Sequence, residues 1–201
     1  MTPPPPKPVR GFSKALAQGT KVFLRYPTGG DMAEWVKVRE QSEAFLTKWD
    51  PTPLGEDYPR PAEEMFYRLM DTADTEHSQR FLICDMAAGR IMGQVSLNQI
   101  FRGPFWNCTT GYWIGEEFAR RGYMTEALRL CLALAFERLN LHRVEANIIP
   151  RNEASRALAK RVGMRYEGTA LRYLRINGVW EDHEHWAMTA EEWEERKEVG
   201  A

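Results

Sequence analysis

Three stretches of the chain hold side chains and backbone groups whose types and spacing could do chemistry. The first is Gly111-Tyr112-Trp113-Ile114-Gly115-Glu116-Glu117-Phe118-Ala119-Arg120-Arg121-Gly122-Tyr123-Met124-Thr125-Glu126-Ala127. A strand ends, a loop rich in Gly and Arg follows, and a long helix begins. Amide N–H groups in the first turn of a helix lack intrahelical partners and lie at the positive end of its dipole, so this loop can take an anion. Arg120 and Arg121 add formal charge. The plainer alternative is a Gly122 that eases the turn beside solvated arginines. No GxxxxGK[ST] or GxGxxG spacing occurs, which removes the P-loop and dinucleotide readings.

The second stretch runs from Glu145 to Arg156. Asn147 points away from the apolar face of its strand, Asn152 stands where a helix N-cap belongs, and Ser155 shares a helical stripe with Leu158 and Val162. An inward hydroxyl needs a partner, which is either a ligand or the backbone of the first turn. The third stretch is the hairpin around Asn177-Gly178, a pair suited to positive φ at both turn positions. Two-residue registration sets Tyr173 opposite Asp182 and Arg175 opposite Trp180. Asp182 is then the leading candidate for a general base, with Glu145 and His183 behind it. Its other reading is a cross-strand polar pair.

The elements that position these residues follow from periodicity and turn chemistry. Lys21–Tyr26 reads as a strand, Asp31 as the N-cap of a helix reaching Phe45, and Pro51, Pro53, Gly55 and Pro59 as breakers. A second helix spans 61–73, opening on Pro. Strands at 80–84, 90–98 and 109–114 make an antiparallel meander. Leu128, Cys131, Leu132, Ala135 and Leu139 recur on one face of the strongest helix. A strand over 143–149 and a short helix ended by Gly163 complete a βαβα unit. A Glu-rich helix over 190–197 follows the hairpin. The fold class is α+β: a central, mostly antiparallel twisted sheet flanked by helices.

Length and composition bound the rest. The chain has 201 residues, 43% hydrophobic and 27% charged, which predicts a single domain over 19–201 behind a Pro-rich tail over 1–18. Twenty-seven basic residues against 28 acidic ones, net −1, argue against broad nucleic-acid binding. No apolar run approaches the ~20 residues of a membrane span. Cys84, Cys108 and Cys131 lack the spacing of a disulfide framework or zinc site, so no metal is expected, a cytoplasmic location is, and Cys131 falls in the core.

Taken together, GYWIGEEFARRGYMTEAL, HRVEANIIPRNEASRALAKRVGM and YEGTALRYLRINGVWEDH resemble the GNAT acyltransferase superfamily, and within it the RimJ/RimL-type ribosomal-protein N-acetyltransferases. The earlier segments LRY, FLTKWDP and IMGQVSLNQIFRG are similar in kind. The resemblance implies the GNAT fold, acetyl-CoA as cosubstrate and an amine as acceptor. The family's Q/R-x-x-G-x-G/A signature maps onto Ala119-Arg120-Arg121-Gly122-Tyr123-Met124, with Ala119 and Met124 departing from it. By that analogy Arg120, Arg121, Gly122, Tyr123, Met124 and Thr125 hold the pyrophosphate, Trp113 and Ile114 offer backbone to the pantetheine arm, and Asn147 and Asn152 bond nearby. Ser155 lies by the sulfur as hydrogen-bond donor to the departing thiolate, and hairpin geometry, not the analogy, adds Asp182 and Tyr173 opposite it as catalytic candidates. The implied acceptor is a protein N-terminus such as a ribosomal protein's, the enzyme being a monomer or homodimer. Neutral α-amine near pH 7 is about 3.5 kcal/mol cheaper to prepare than neutral Lys. A small-amine or antibiotic acetyltransferase, or a non-catalytic acetyl-CoA-binding module, are the alternatives.

Overall fold

Val22, Phe23, Leu24 and Arg25 are all buried, and they form a strand enclosed on both faces. The computed structural model describes residues 11–52, 54 and 60–198, so Pro53, Gly55 and Pro59 lie outside the described residues. Among the described residues there are nine strands: β1 Ala17–Gln18, β2 Val22–Arg25, β3 Asp74–Thr75, β4 Ser78–Asp85, β5 Ile91–Phe101, β6 Asn107–Ile114, β7 Arg143–Ile148, β8 Arg165–Ile176 and β9 Val179–Thr189. Six α-helices accompany them among the described residues: α1 Met32–Gln41, α2 Glu43–Leu46, α3 Ala62–Thr72, α4 Tyr123–Ala133, α5 Glu153–Val162 and α6 Ala190–Glu198. The sheet order is β1-β2-β4-β5-β6-β7-β9-β8, with β3 on β4. Every pairing is antiparallel except β6 with β7.

Two apolar clusters sandwich the sheet. On one face α4 and α5 bury Leu128, Cys131, Leu132, Leu158 and Val162 against Leu24, Val95, Val144 and Trp186. On the other, α1 and α3 bury Trp35, Val36, Phe66 and Leu69 against Phe23, Leu82 and Cys84. Alternation along each strand supplies both sets. The β6–α4–β7–α5 unit stands where the apolar periods place it. The stripe reaching Leu139 is continued past Ala133 by a π turn over Leu134–Arg138.

Four expectations are corrected. Residues 11–18 belong to the fold, not to a tail: Leu16 N donates to Leu24 O at 2.8 Å, Ala17 pairs with Leu24, and the Phe12 ring meets Phe23 edge-on. Residues 1–10 lie outside the described residues. The helix expected to reach Phe45 breaks at Ser42, whose hydroxyl accepts from Glu116 N at 3.0 Å. Asp31 precedes α1 but does not cap it through its side chain. Its carboxylate turns back to a bidentate pair with Arg25, at 2.7 and 2.8 Å, and accepts from Thr28 N. A fully desolvated guanidinium outcompetes a helix amide for that carboxylate.

The fourth concerns the last hairpin. Asn177 and Gly178 have φ of 43° and 86°, and Arg175 faces Trp180 as the turn demands. Beyond Leu174↔Glu181 the ladder resumes only at Ala170↔His183. Three residues of β8, Leu171 to Tyr173, therefore bulge against the single residue Asp182, and Tyr173 is not its cross-strand partner. Asp182 Oδ1 accepts from Arg172 N at 2.8 Å, and Arg172 takes φ of 51°.

Candidate active site

The parallel ladder between β6 and β7 stops at Thr109↔Glu145. Beyond it β6 remains paired to β5 as far as Ile114, and β7 to β9 as far as Ile148. The two strands part, leaving an open wedge between facing edges. Gly115 N donates to Met92 O, so by alternation the peptide groups turned toward the wedge belong to Tyr112 and Ile114, and those of Trp113 face β5. Trp113 contributes packing instead: its ring meets Trp35 edge-on, and the Arg39 guanidinium lies 5.3 Å above it.

The loop from β6 to α4 closes the mouth of the wedge. Ala119 is extended, while Arg120 and Gly122 take φ of 62° and 83°. This sequence of conformations turns amides inward at the start of α4, where no side chain caps the helix. A side chain at Gly122 would carry the cost of left-handed geometry, and its Cβ would stand 3.4 Å from Lys21 Nζ. Arg120 and Arg121 are exposed beside it. Glu126 fixes the first turn of α4 by accepting from the backbone N–H groups of Thr20 and Lys21. Tyr123 and Met124 are partly buried and pack on the main core.

Across the wedge, Asn152 caps α5 by accepting from Ser155 N at 3.1 Å, and Gly163 ends it at φ of 97°. Ser155 Oγ lies 2.6 Å from the hydroxyl of Tyr112, a partner that single-residue reasoning from the sequence missed. The signal available was the alternation of β6, which puts Tyr112 on the same face as Cys108. Burial pushes the Tyr112 phenol up to about 12. Asn147 Oδ1 is buried and has no hydrogen-bond partner among the described residues. A buried acceptor left without a donor costs about 1–3 kcal/mol, which an amide N–H entering the wedge would relieve.

Asn147 pairs with His185 across β7 and β9, so both side chains share a face with His183. The Tyr173 ring meets both histidines, tilted at 5.7 Å from His183 and edge-on at 4.9 Å from His185. His183 is 2% exposed, and its Nδ1 lies 3.0 Å from the Glu181 carbonyl. Burial lowers its pKa. The neutral tautomer that donates from Nδ1 leaves the Nε2 lone pair available as a base. Glu145 is committed to Arg143 and Asn107. Thus the structure joins Ser155 to Tyr112 on β6 and to Asn152 at the head of α5, sets Asn147 on the face of the sheet shared with His183 and His185, and leaves Asp182 engaged with the β8 bulge.

The wedge fits an extended thioester-bearing arm. Among the described residues it offers unpaired strand edges, a buried Asn147 amide oxygen on β7 without a donor, and a start of α4 with no side-chain cap. Among the described residues no group of three His, Cys, Asp or Glu is arranged to hold a metal, and no helix is long and apolar enough to cross a membrane.

Comparisons with known proteins agree with this geometry. Residues 21–165 match the family model described as Acetyltransferase (GNAT) domain. The chain is 30% identical over 161 residues to the [Ribosomal protein uS5]-alanine N-acetyltransferase of Escherichia coli (strain K12), covering 79% of this chain and 75% of that one. Mycobacterium smegmatis RimJ, solved in complex with CoA-disulfide, superposes with a TM-score of 0.78 at 32% identity, covering 85% of this chain and 83% of that one. The chain belongs to the GNAT family and is an acetyl-CoA-dependent N-acetyltransferase.

Proposed function

We propose that the acceptor is the α-amine of a protein N-terminus, a ribosomal protein being the leading candidate. The observation that carries this is the likeness, over most of both chains, to an enzyme named for acetylating an alanine of ribosomal protein uS5. Proton energetics support it. A neutral imidazole at His183 suits an amine of pKa ~8 far better than a Lys side chain at ~10.4.

Acetyl-CoA supplies the activated acetyl group. In this reading the backbone at Arg120, Arg121, Gly122, Tyr123, Met124 and Thr125 holds the pyrophosphate, with the two arginines adding charge. The edge of β6 at Tyr112 and Ile114, together with Asn147 and Asn152, holds the arm in the wedge, and Trp113 keeps that edge rigid by packing on Trp35. Ser155 donates a hydrogen bond to the sulfur as the C–S bond breaks. His183 takes the proton of the attacking amine and passes it to solvent. Tyr173 orients the two histidines, and Asp182 holds the backbone that carries Tyr173.

The test is acetyl-CoA turnover with peptides beginning in Ala or Ser, compared with polyamines and aminoglycosides, with products located by mass spectrometry. Acetylation of peptide N-termini is expected, and Ser155→Ala should lower kcat at least about tenfold. Acetyl groups found on Lys side chains or polyamines but never on N-termini would overturn the acceptor assignment.

A further inference from the structure

Among the described residues, the hydroxyl pair at the head of α5 is the one side-chain hydrogen bond that joins β6 to α5 directly. Tyr112 Oη and Ser155 Oγ are 2.6 Å apart, and no other hydrogen bond to the Tyr112 hydroxyl is present among the described residues. A serine hydroxyl has one proton and two lone pairs and rotates freely unless something fixes it. Left to itself, it could donate to any nearby backbone oxygen. At this distance either hydroxyl can donate, and the greater acidity of the phenol favours its O–H as donor and Ser155 Oγ as acceptor. The serine proton is then free to point elsewhere. Asn152 simultaneously holds the Ser155 backbone through its amide, at 3.1 Å, so both ends of the residue are fixed by neighbours on different elements.

Resting on the reading of Ser155 given above, we propose that Tyr112 is a positioning residue: its O–H donates to Ser155 Oγ and turns the Ser155 O–H toward the sulfur of bound CoA. Hydrogen bonds in series polarise one another, so a serine that accepts from a phenol is also a better donor. No covalent step passes through Tyr112. When the C–S bond breaks, the electron pair stays on sulfur, and the thiolate accepts the Ser155 hydrogen bond before it is protonated from solvent. The proton lost by the amine leaves through His183. Burial keeps the phenol protonated across the working pH range, with its pKa at about 12, so the donor is never lost by ionisation.

An acceptor-independent measurement tests this: the ultraviolet thiolate absorbance of CoA bound to the enzyme, titrated with pH. Ser155→Ala should raise the pKa of the bound thiol by about one unit, a tenfold loss of thiolate. Tyr112→Phe should lower the thiolate equilibrium about three- to tenfold with CoA affinity by calorimetry within twofold. In the double variant the shift should equal that of Ser155→Ala alone, because Tyr112 acts only through Ser155. Should Tyr112→Phe fold poorly, 3,5-difluorotyrosine at position 112 keeps the shape and ionises at lower pH. The bound thiolate should then lose stabilisation as pH rises through the ionisation of that phenol. A Ser155→Ala shift with none from Tyr112→Phe, or additive shifts in the double variant, overturns the role of Tyr112. No shift from Ser155→Ala overturns the reading of Ser155 itself.

Discussion

His183 carries opposite demands in one side chain. It is enclosed among Tyr173, His185 and the Glu181 carbonyl, and burial holds its pKa below the ordinary 6.5. The folded protein therefore binds fewer protons than the unfolded chain between that lowered value and ~6.5. The stability it contributes is complete above ~6.5 and is lost as pH falls through that window. Denaturant midpoints should drop between pH 7 and pH 5, and His183→Asn should remove that drop. The fall below pH ~4 would remain, since carboxylates such as Glu167, held down by Arg143, must then be protonated. If the base assignment holds, the same variant should reduce acetyl transfer at neutral pH by about 10²-fold or more. A stability profile unchanged by His183→Asn would show that the imidazole is not buried neutral.

At the level of elements, the bulge in β8 decides what Asp182 does. Its carboxylate oxygen receives the Arg172 amide, which holds the left-handed turn that brings Tyr173 onto the histidines. Asn retains an acceptor oxygen, so Asp182→Asn should leave turnover within about twofold, while Asp182→Ala should cost about 1 kcal/mol in chemical denaturation. A hundredfold loss of kcat in a folded Asp182→Asn protein would restore the carboxylate as base. The bulge was illegible in the sequence because register was counted from the Asn177-Gly178 turn outward, and that count is valid only until an extra residue enters the strand. Local signals served well elsewhere. Gly122, Asn152 and Gly163 mark helix ends by backbone chemistry that neighbours cannot override, and β6–α4–β7–α5 followed from apolar periods. What failed depended on partners distant in sequence: Arg25 reclaiming Asp31, Leu24 recruiting residues 16 and 17, and Tyr112 meeting Ser155 across 43 positions.

For the whole molecule, the wedge lies between two halves of one sheet that are paired directly only over Asn107–Thr109 and Arg143–Glu145. A ligand laid along both open edges should tie the halves together. By mass action, acetyl-CoA at a hundredfold excess over Kd adds about 2.7 kcal/mol, or a Tm rise of about 5–10 °C for a chain of this size. Gly122→Asp should abolish most of that rise by placing a side chain and a negative charge at the start of α4, and an undiminished rise would place the pyrophosphate elsewhere. The tip of the β8–β9 hairpin is fastened to residues 50–52: Thr52 N donates to Arg175 O at 2.8 Å, Asn177 N to Asp50 O at 3.1 Å and Gly178 N to Thr52 Oγ1 at 3.2 Å. Two of these three bonds run from main chain to main chain, and a bond of that kind survives replacement of any side chain that leaves the backbone path intact. An exposed side chain of the hairpin such as Trp180 can accordingly be replaced without loosening the anchorage of the turn. In this design sequence drift on the surface of the hairpin is decoupled from the integrity of its anchorage.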